Sequence, residues 1–187
     1  MAYRLDIDER HAYYLNNISQ GMMPISLNTA RFLYDWCYEH RPRLILDSGS
    51  GFSSFVLRKY KLMVPGLNVR VITIDNKESW LDKTRQFLRD CGLGAEDCWS
   101  ASDFSIYSDL FSFDLIFEDY DINFRNKRLK YDMRHLKNSG HIILDDMHLG
   151  RTRSMLGSYV RTDQIQIKDL FYLADKFGRF PAILKKK

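Results

Sequence analysis

The chain has little that would mark it as secreted, membrane-bound or fibrous. Only three cysteines occur in 187 residues, Cys37, Cys91 and Cys98. Three is an odd number, and their spacing suits neither a disulfide framework nor a zinc cluster. They read as reduced thiols, which places the protein in the cytoplasm. No stretch approaches the ~18 apolar residues of a membrane span, and "MAYRLDIDERHAYY" has no signal-peptide core, so no membrane partner is expected. With four prolines there is no low-complexity or linker tract, and no internal repeat appears. Residues 1–187 therefore read as a single domain, with 1–27 irregular around Gly21 and Pro24.

Strong charge of one sign is also missing. The formal net charge is +4, and the most basic tract is Lys185 to Lys187. A balance this modest permits nucleic-acid binding without arguing for it, so no sequence-specific nucleic acid is expected. In "RNKRLKYDMR" the apolar Ile122, Leu129, Met133 and Leu136 keep helical spacing. Arg125, Lys127, Arg128 and Lys130 are then expected to face water.

What is present is an alternation of short apolar runs with helical patterns. "NTARFLYDWCYEH" predicts a helix capped by Asn28. "RLILD" predicts a buried strand ending at Asp47, followed by a glycine loop and a helix. "VRVITID" (69–75) predicts a second strand, and Trp80, Thr84, Phe87, Leu88 and Cys91 form a helical stripe stopped by Gly92. A weak strand near "CWSAS" precedes the clear strand "FDLIFED" (113–119). A helix over 122–137 stops at "NSG", and "HIILDD" (141–146) is a further strand. Such alternation implies βαβ units and a parallel sheet. "IQIKDLFYL" and "GRFPAILKK", separated by "ADKF", predict a C-terminal antiparallel hairpin with Pro181 at a strand start. The expected fold is a Rossmann-like, doubly wound, seven-stranded sheet, mostly parallel.

Acids cluster where such a sheet binds ligands. Asp47, Asp75, Asp103, Glu118, Asp119, Asp145 and Asp146 all fall at or just after predicted strand ends. Any one of them could simply cap a helix. Seven on one rim repel each other unless something cationic or rich in hydroxyls lies there. Between Asp47 and the next helix, "DSGSGFSS" carries two close glycines. A dinucleotide fingerprint would need a third at position 54, which is Ser54, and a pyrophosphate gains nothing from Asp47. A ligand bearing an ammonium or sulfonium gains from it.

On these residues, "LDSGSGFSS" resembles the first motif of the class I S-adenosylmethionine-dependent methyltransferases, and the resemblance covers nearly the whole chain. It implies that Asp47 and the loop residues Gly49 and Gly51 meet the methionine part of the cofactor, with Ser50 and Phe52 also in the binding set. It implies that Asp75 binds the ribose hydroxyls, with Asn76 beside it, and that Asp103 meets the adenine amino group. Glu118 is included among the cofactor-binding residues. A carboxylate suits a vicinal diol because it accepts two hydrogen bonds at once.

The Asn/Asp-Pro-Pro-aromatic motif of base-amine methyltransferases is absent, since "FEDYD" stands in its place. No cysteine sits behind a proline, as carbon-5 pyrimidine chemistry would require. The acceptor is therefore expected to be a small molecule with a hydroxyl, in preference to an amine. "EDYD" and "ILDDMH" are similar to the metal-dependent O-methyltransferases of small molecules, which implies magnesium ligands at Asp119, Asp145 and Asp146. Met147 stands where the catechol-type pattern has Asn. The catalytic candidates are Asp119, Asp146 and His148, an imidazole there serving as general base without a metal. The acceptor pocket is expected from residues 1–27, from 148–164, or from a second copy in a homodimer. Three other readings stay open: an RNA or protein methyltransferase, a non-catalytic cofactor binder, and an NAD(P)-dependent oxidoreductase.

Overall fold

The computed structural model describes residues 2–19, 24–162 and 164–187, with the side chains of residues 2–4 outside the description. Its elements run α1 (Ala2–Tyr13), one π-type turn (Tyr14–Ile18), α2 (Leu27–His40), β1 (Leu44–Ser48), α3 (Phe52–Met63), β2 (Arg70–Asp75) and α4 (Glu78–Asp90). They continue with β3 (Cys98–Ser100), α5 (Ala101–Tyr107), β4 (Phe113–Glu118), α6 (Arg125–His135), β5 (Leu136–Leu144), α7 (Gly150–Arg161), β6 (Ile165–Asp169) and β7 (Ala182–Lys186). The strands form one seven-stranded sheet ordered β3-β2-β1-β4-β5-β7-β6. All pairings are parallel except β5 with β7 and β6 with β7. The expected fold class therefore holds. No helix among the described residues is long and apolar enough to cross a membrane.

Alternation along the strands builds two cores. Ile45 points to one face with Leu33, Val56, Leu57 and Phe87, while Leu46 points to the other with Phe104, Leu129 and Leu156. Helices cover both faces, which is why the central strands read as unbroken apolar runs. The order reverses between β1 and β4, so the crevice at their carboxyl ends is the place where an open α/β sheet takes a ligand.

Four expectations about elements need correction. Residues 2–18 are helical, although the segment reads as irregular; Gly21 lies outside the described residues. Over residues 5–19 only Ile7, Tyr14 and Ser19 are buried, a pattern too sparse to show a period. Tertiary ion pairs hold the segment instead, Asp8 with Arg31 at 2.8 Å and Asp6 with Lys59. Helix α2 is capped by Ser26, whose Oγ accepts from Thr29 N at 3.0 Å; Asn28 reaches Leu173 O. The stretch "NSG" lies inside β5 and does not stop α6. A Cβ on Gly140 would meet Phe113 O at 2.9 Å, beside the register slip between Phe113 and Leu115, so this glycine serves strand packing. Finally, β6 and β7 are joined by residues 170–181 and not by a tight turn. Pro181 lies just ahead of β7, as its missing N–H requires, and its carbonyl accepts from Leu170 N at 3.0 Å.

Candidate functional site

The crevice is built where four strand ends, those of β2, β1, β4 and β5, are laced by their main chains. Gly49 N donates to Ile74 O (3.0 Å), Asp119 N to Ser48 O (2.8 Å) and Asp145 N to Glu118 O (3.0 Å). Gly49 sits at φ +103, and a Cβ there would lie 2.5 Å from the Asp119 carbonyl oxygen. The loop can cross the end of β4 only without a side chain. Gly51 sits at φ +153, its open side facing the Tyr14 hydroxyl and the Trp80 indole.

Asp75 closes the loop from β2. One carboxylate oxygen accepts from Ser50 N and Ser50 Oγ, both at 2.8 Å, and the other from Lys77 N at 2.9 Å. Trp80 Nε1 donates to Ser50 O at 2.8 Å. Asn76 is exposed and borders a cleft of about 710 Å³, together with Ala101, Ser102, Tyr120, Phe124 and Arg128.

Several expected cofactor contacts lie below this surface. Asp47 is fully buried; its Oδ2 accepts from Ser54 Oγ (2.5 Å) and Thr73 Oγ1 (3.0 Å). It braces the loop from underneath and does not line the cleft. Burial pushes its carboxyl up to about 6. Glu118 is fully buried too, accepting from Tyr120 N. Burial, then the adjoining Asp132, raise it well above the carboxylate range. Phe52 packs in the core against Phe55, Phe87 and Tyr14. Asp103 is exposed in the first turn of α5, where its carboxylate accepts from Ser100 Oγ at 2.7 Å and its N–H donates back at 3.1 Å. That is a helix cap.

The largest correction concerns Arg125. Helical spacing puts it in water, yet the structure buries it at 2 % exposure. Its Nη2 donates to Asp119 Oδ1 at 3.0 Å and to Asp146 Oδ2 at 3.3 Å. Its Nε donates to Tyr120 O at 2.9 Å, and its Nη1 lies 3.4 Å from Asp145 O and 3.5 Å from Thr152 Oγ1. Arg128 also leaves the solvent, at 9 % exposure, to pair with the buried Asp132.

The expected magnesium ligands do not fit a metal. Asp119 and Asp146 do converge, but on a guanidinium. Asp145 offers Arg125 only its main-chain oxygen, and its own carboxyl is buried. Burial, with Asp146 adjacent, pushes it up to about 6. Asp146 holds a left-handed backbone at φ +59, and its carboxylate accepts from Arg125. His148 Nδ1 lies 3.8 Å from Asp146 Oδ1 and has no hydrogen-bond partner among the described residues. Met147, 1 % exposed, belongs to the core.

Ser54, Thr73, Trp80, Tyr14 and Arg125 all shape this site and were missed in the sequence. Ser54 alone had a local signal, a hydroxyl three residues beyond Gly51 at the start of a helix.

No family model matches the sequence, and no curated protein matches it. Solved structures do match. The O-methyltransferase TomG from Streptomyces achromogenes, involved in tomaymycin synthesis and in complex with SAM, superposes with a TM-score of 0.76 at 16% identity, over 96% of this chain and 88% of its own. The SAH-bound Podospora anserina methyltransferase PaMTH1 gives 0.74 at 15%, over 100% and 93%. The O-methyltransferase from Bacillus cereus, in complex with SAH, gives 0.67 at 14%, over 98% and 90%. This chain has the fold of the class I S-adenosylmethionine-dependent methyltransferases.

Proposed function

We propose that the protein transfers a methyl group from S-adenosylmethionine (SAM) to a hydroxyl of a small-molecule acceptor. The observation that carries this reading is the Gly49–Gly51 loop at the sheet's reversal point, with Asp75 closing it from the next strand. A crevice rich in carboxylates favours a cofactor carrying an ammonium and a sulfonium over a pyrophosphate. The SAM- and SAH-bound neighbours of the same fold support it. Ribose hydroxyls would take the place of the Ser50 hydroxyl on Asp75, and the adenine would lie near Asn76 in the 710 Å³ cleft.

Methyl transfer is an in-line displacement. The acceptor oxygen attacks the methyl carbon, the carbon–sulfur bond breaks, and the sulfonium leaves as a neutral thioether. Alignment and removal of the acceptor proton supply most of the rate. His148 takes that proton on an imidazole nitrogen, and Asp146 stabilises the resulting imidazolium across 3.8 Å. His148, ahead of α7, stands on the acceptor side.

Calorimetry tests the cofactor first: SAM and SAH should bind, with NAD and NADP inert. A preference for a dinucleotide sinks the reading. Asp75→Ala should weaken SAM by roughly 1.5–3 kcal/mol per charge-assisted bond lost. A screen of metabolite extract with labelled methyl donor then identifies the acceptor. With that acceptor, His148→Ala should slow turnover by roughly 100- to 10,000-fold while leaving SAM affinity intact.

A further inference from the structure

Three carboxylate-bearing residues, Asp119, Asp145 and Asp146, meet at the ends of β4 and β5, and such a set ordinarily calls for a hard cation. We infer that Arg125 is that cation: its guanidinium occupies the position of a divalent metal, and the site works without one. The inference rests on the cofactor reading only for what the site does; the occupancy itself follows from geometry.

Four features carry it. Arg125 is buried at 2 % exposure, so its charge was taken out of water and must be compensated on the spot. A single nitrogen, Nη2, bridges Asp119 and Asp146 from the loops after two different strands, as a metal would. The remaining donors go to oxygens around the same crevice, Tyr120 O, Asp145 O and Thr152 Oγ1. The guanidinium is therefore fixed on several sides and is not a mobile surface arm. The sequence agrees, because Met147 offers no oxygen beside Asp146.

Placing a divalent ion between Asp119 and Asp146 would set it against this buried, permanent charge, which does not deprotonate in a protein. Arg125 thereby acts as a positioning residue. It clamps the loop after β4 to the loop after β5, which fixes Asp146 beside His148. Its donors are already committed to the protein, so none is left to hold an acceptor oxygen.

Manganese titration followed by water-proton relaxation and by thermal unfolding tests the occupancy, and it needs neither acceptor nor turnover. The wild-type protein should show no specific manganese binding below about 1 mM, the weak end of carboxylate cation sites. Arg125→Ala should acquire it, with the melting temperature rising on added manganese, and the double variant Arg125→Ala/Asp146→Asn should lose it again. Free guanidinium should restore part of the melting temperature lost in Arg125→Ala, a rescue that mere loss of packing would not show. Manganese binding by the wild type that Asp146→Asn abolishes overturns the inference. So does a folded Arg125→Ala protein that binds none. If Arg125→Ala fails to fold, the wild-type and Asp146→Asn titrations decide alone. SAM calorimetry with and without chelator, run in parallel, reports separately on the cofactor reading.

Discussion

At Gly49 a side chain is excluded twice, by a φ of +103 and by the Asp119 carbonyl oxygen 2.5 Å from the missing Cβ. Gly49→Ala should therefore cost more than the about 1–3 kcal/mol of a backbone outlier, read from denaturant unfolding, and should weaken SAM as the loop shifts. Tyr14 separates packing from hydrogen bonding. Its ring is fully buried against Phe52 and Phe87, while its hydroxyl, near that of Thr84, makes no well-formed hydrogen bond among the described residues. Tyr14→Ala should cost about 3–5 kcal/mol, and Tyr14→Phe should be neutral or stabilising. Asp47 sets a pH dependence. Its carboxyl is raised from 3.8 to about 6, so the fold favours the protonated form. That contribution is complete below pH 3.8 and is lost as the pH rises through about 6, up to about 3 kcal/mol by linkage. Unfolding free energies from pH 4 to 7 should decline less steeply in Asp47→Asn than in the wild type. Equal slopes would reject the assignment.

Among the elements, helices show best where local and tertiary signals part. Ser26 accepts from the first turn of α2, so Ser26→Ala should cost about 1 kcal/mol and Asn28→Ala less, measured by chemical unfolding. Asn and Ser are both good caps, and only the extended backbone at Ser26 (ψ 153) decides between them. Helix α6 teaches the same lesson about faces. Its period identifies Leu129 as core, and Leu129 is buried. The period also assigns Arg125 and Arg128 to water, because it counts apolar residues and knows nothing of what the opposite face meets. Asp119, Asp146 and Asp132 await those guanidinium groups, and two of these acids lie on other elements.

Over the whole molecule, net charge and local charge have opposite signs. The chain carries +4, yet Asp75, Asp119, Asp145 and Asp146 lie at the strand ends around the crevice, and the buried Arg125 pairs with two of them, Asp119 and Asp146. SAM carries a sulfonium that SAH lacks. SAM affinity should therefore fall more steeply than SAH affinity as salt rises from 0.01 to 1 M, a range over which the screening length shrinks from about 30 to about 3 Å. Parallel slopes by calorimetry would mean that the sulfonium does not feel these carboxylates.

The sequence by itself determined the sheet, the switch-point crevice and the residues at its rim. Buried strands, their acidic ends and the glycine loop are local patterns, readable over five to ten residues. Tertiary structure decided which of those residues can touch a ligand. Asp47, Glu118 and Phe52 lie beneath the surface, and Asp103 caps its own helix. It also decided what neutralises the acids, since Arg125 stands six residues from Asp119 and twenty-one from Asp146 and meets both only when β4 and β5 lie side by side. Burial and ion pairing are properties of neighbours in space, and periodicity along a chain carries no record of them.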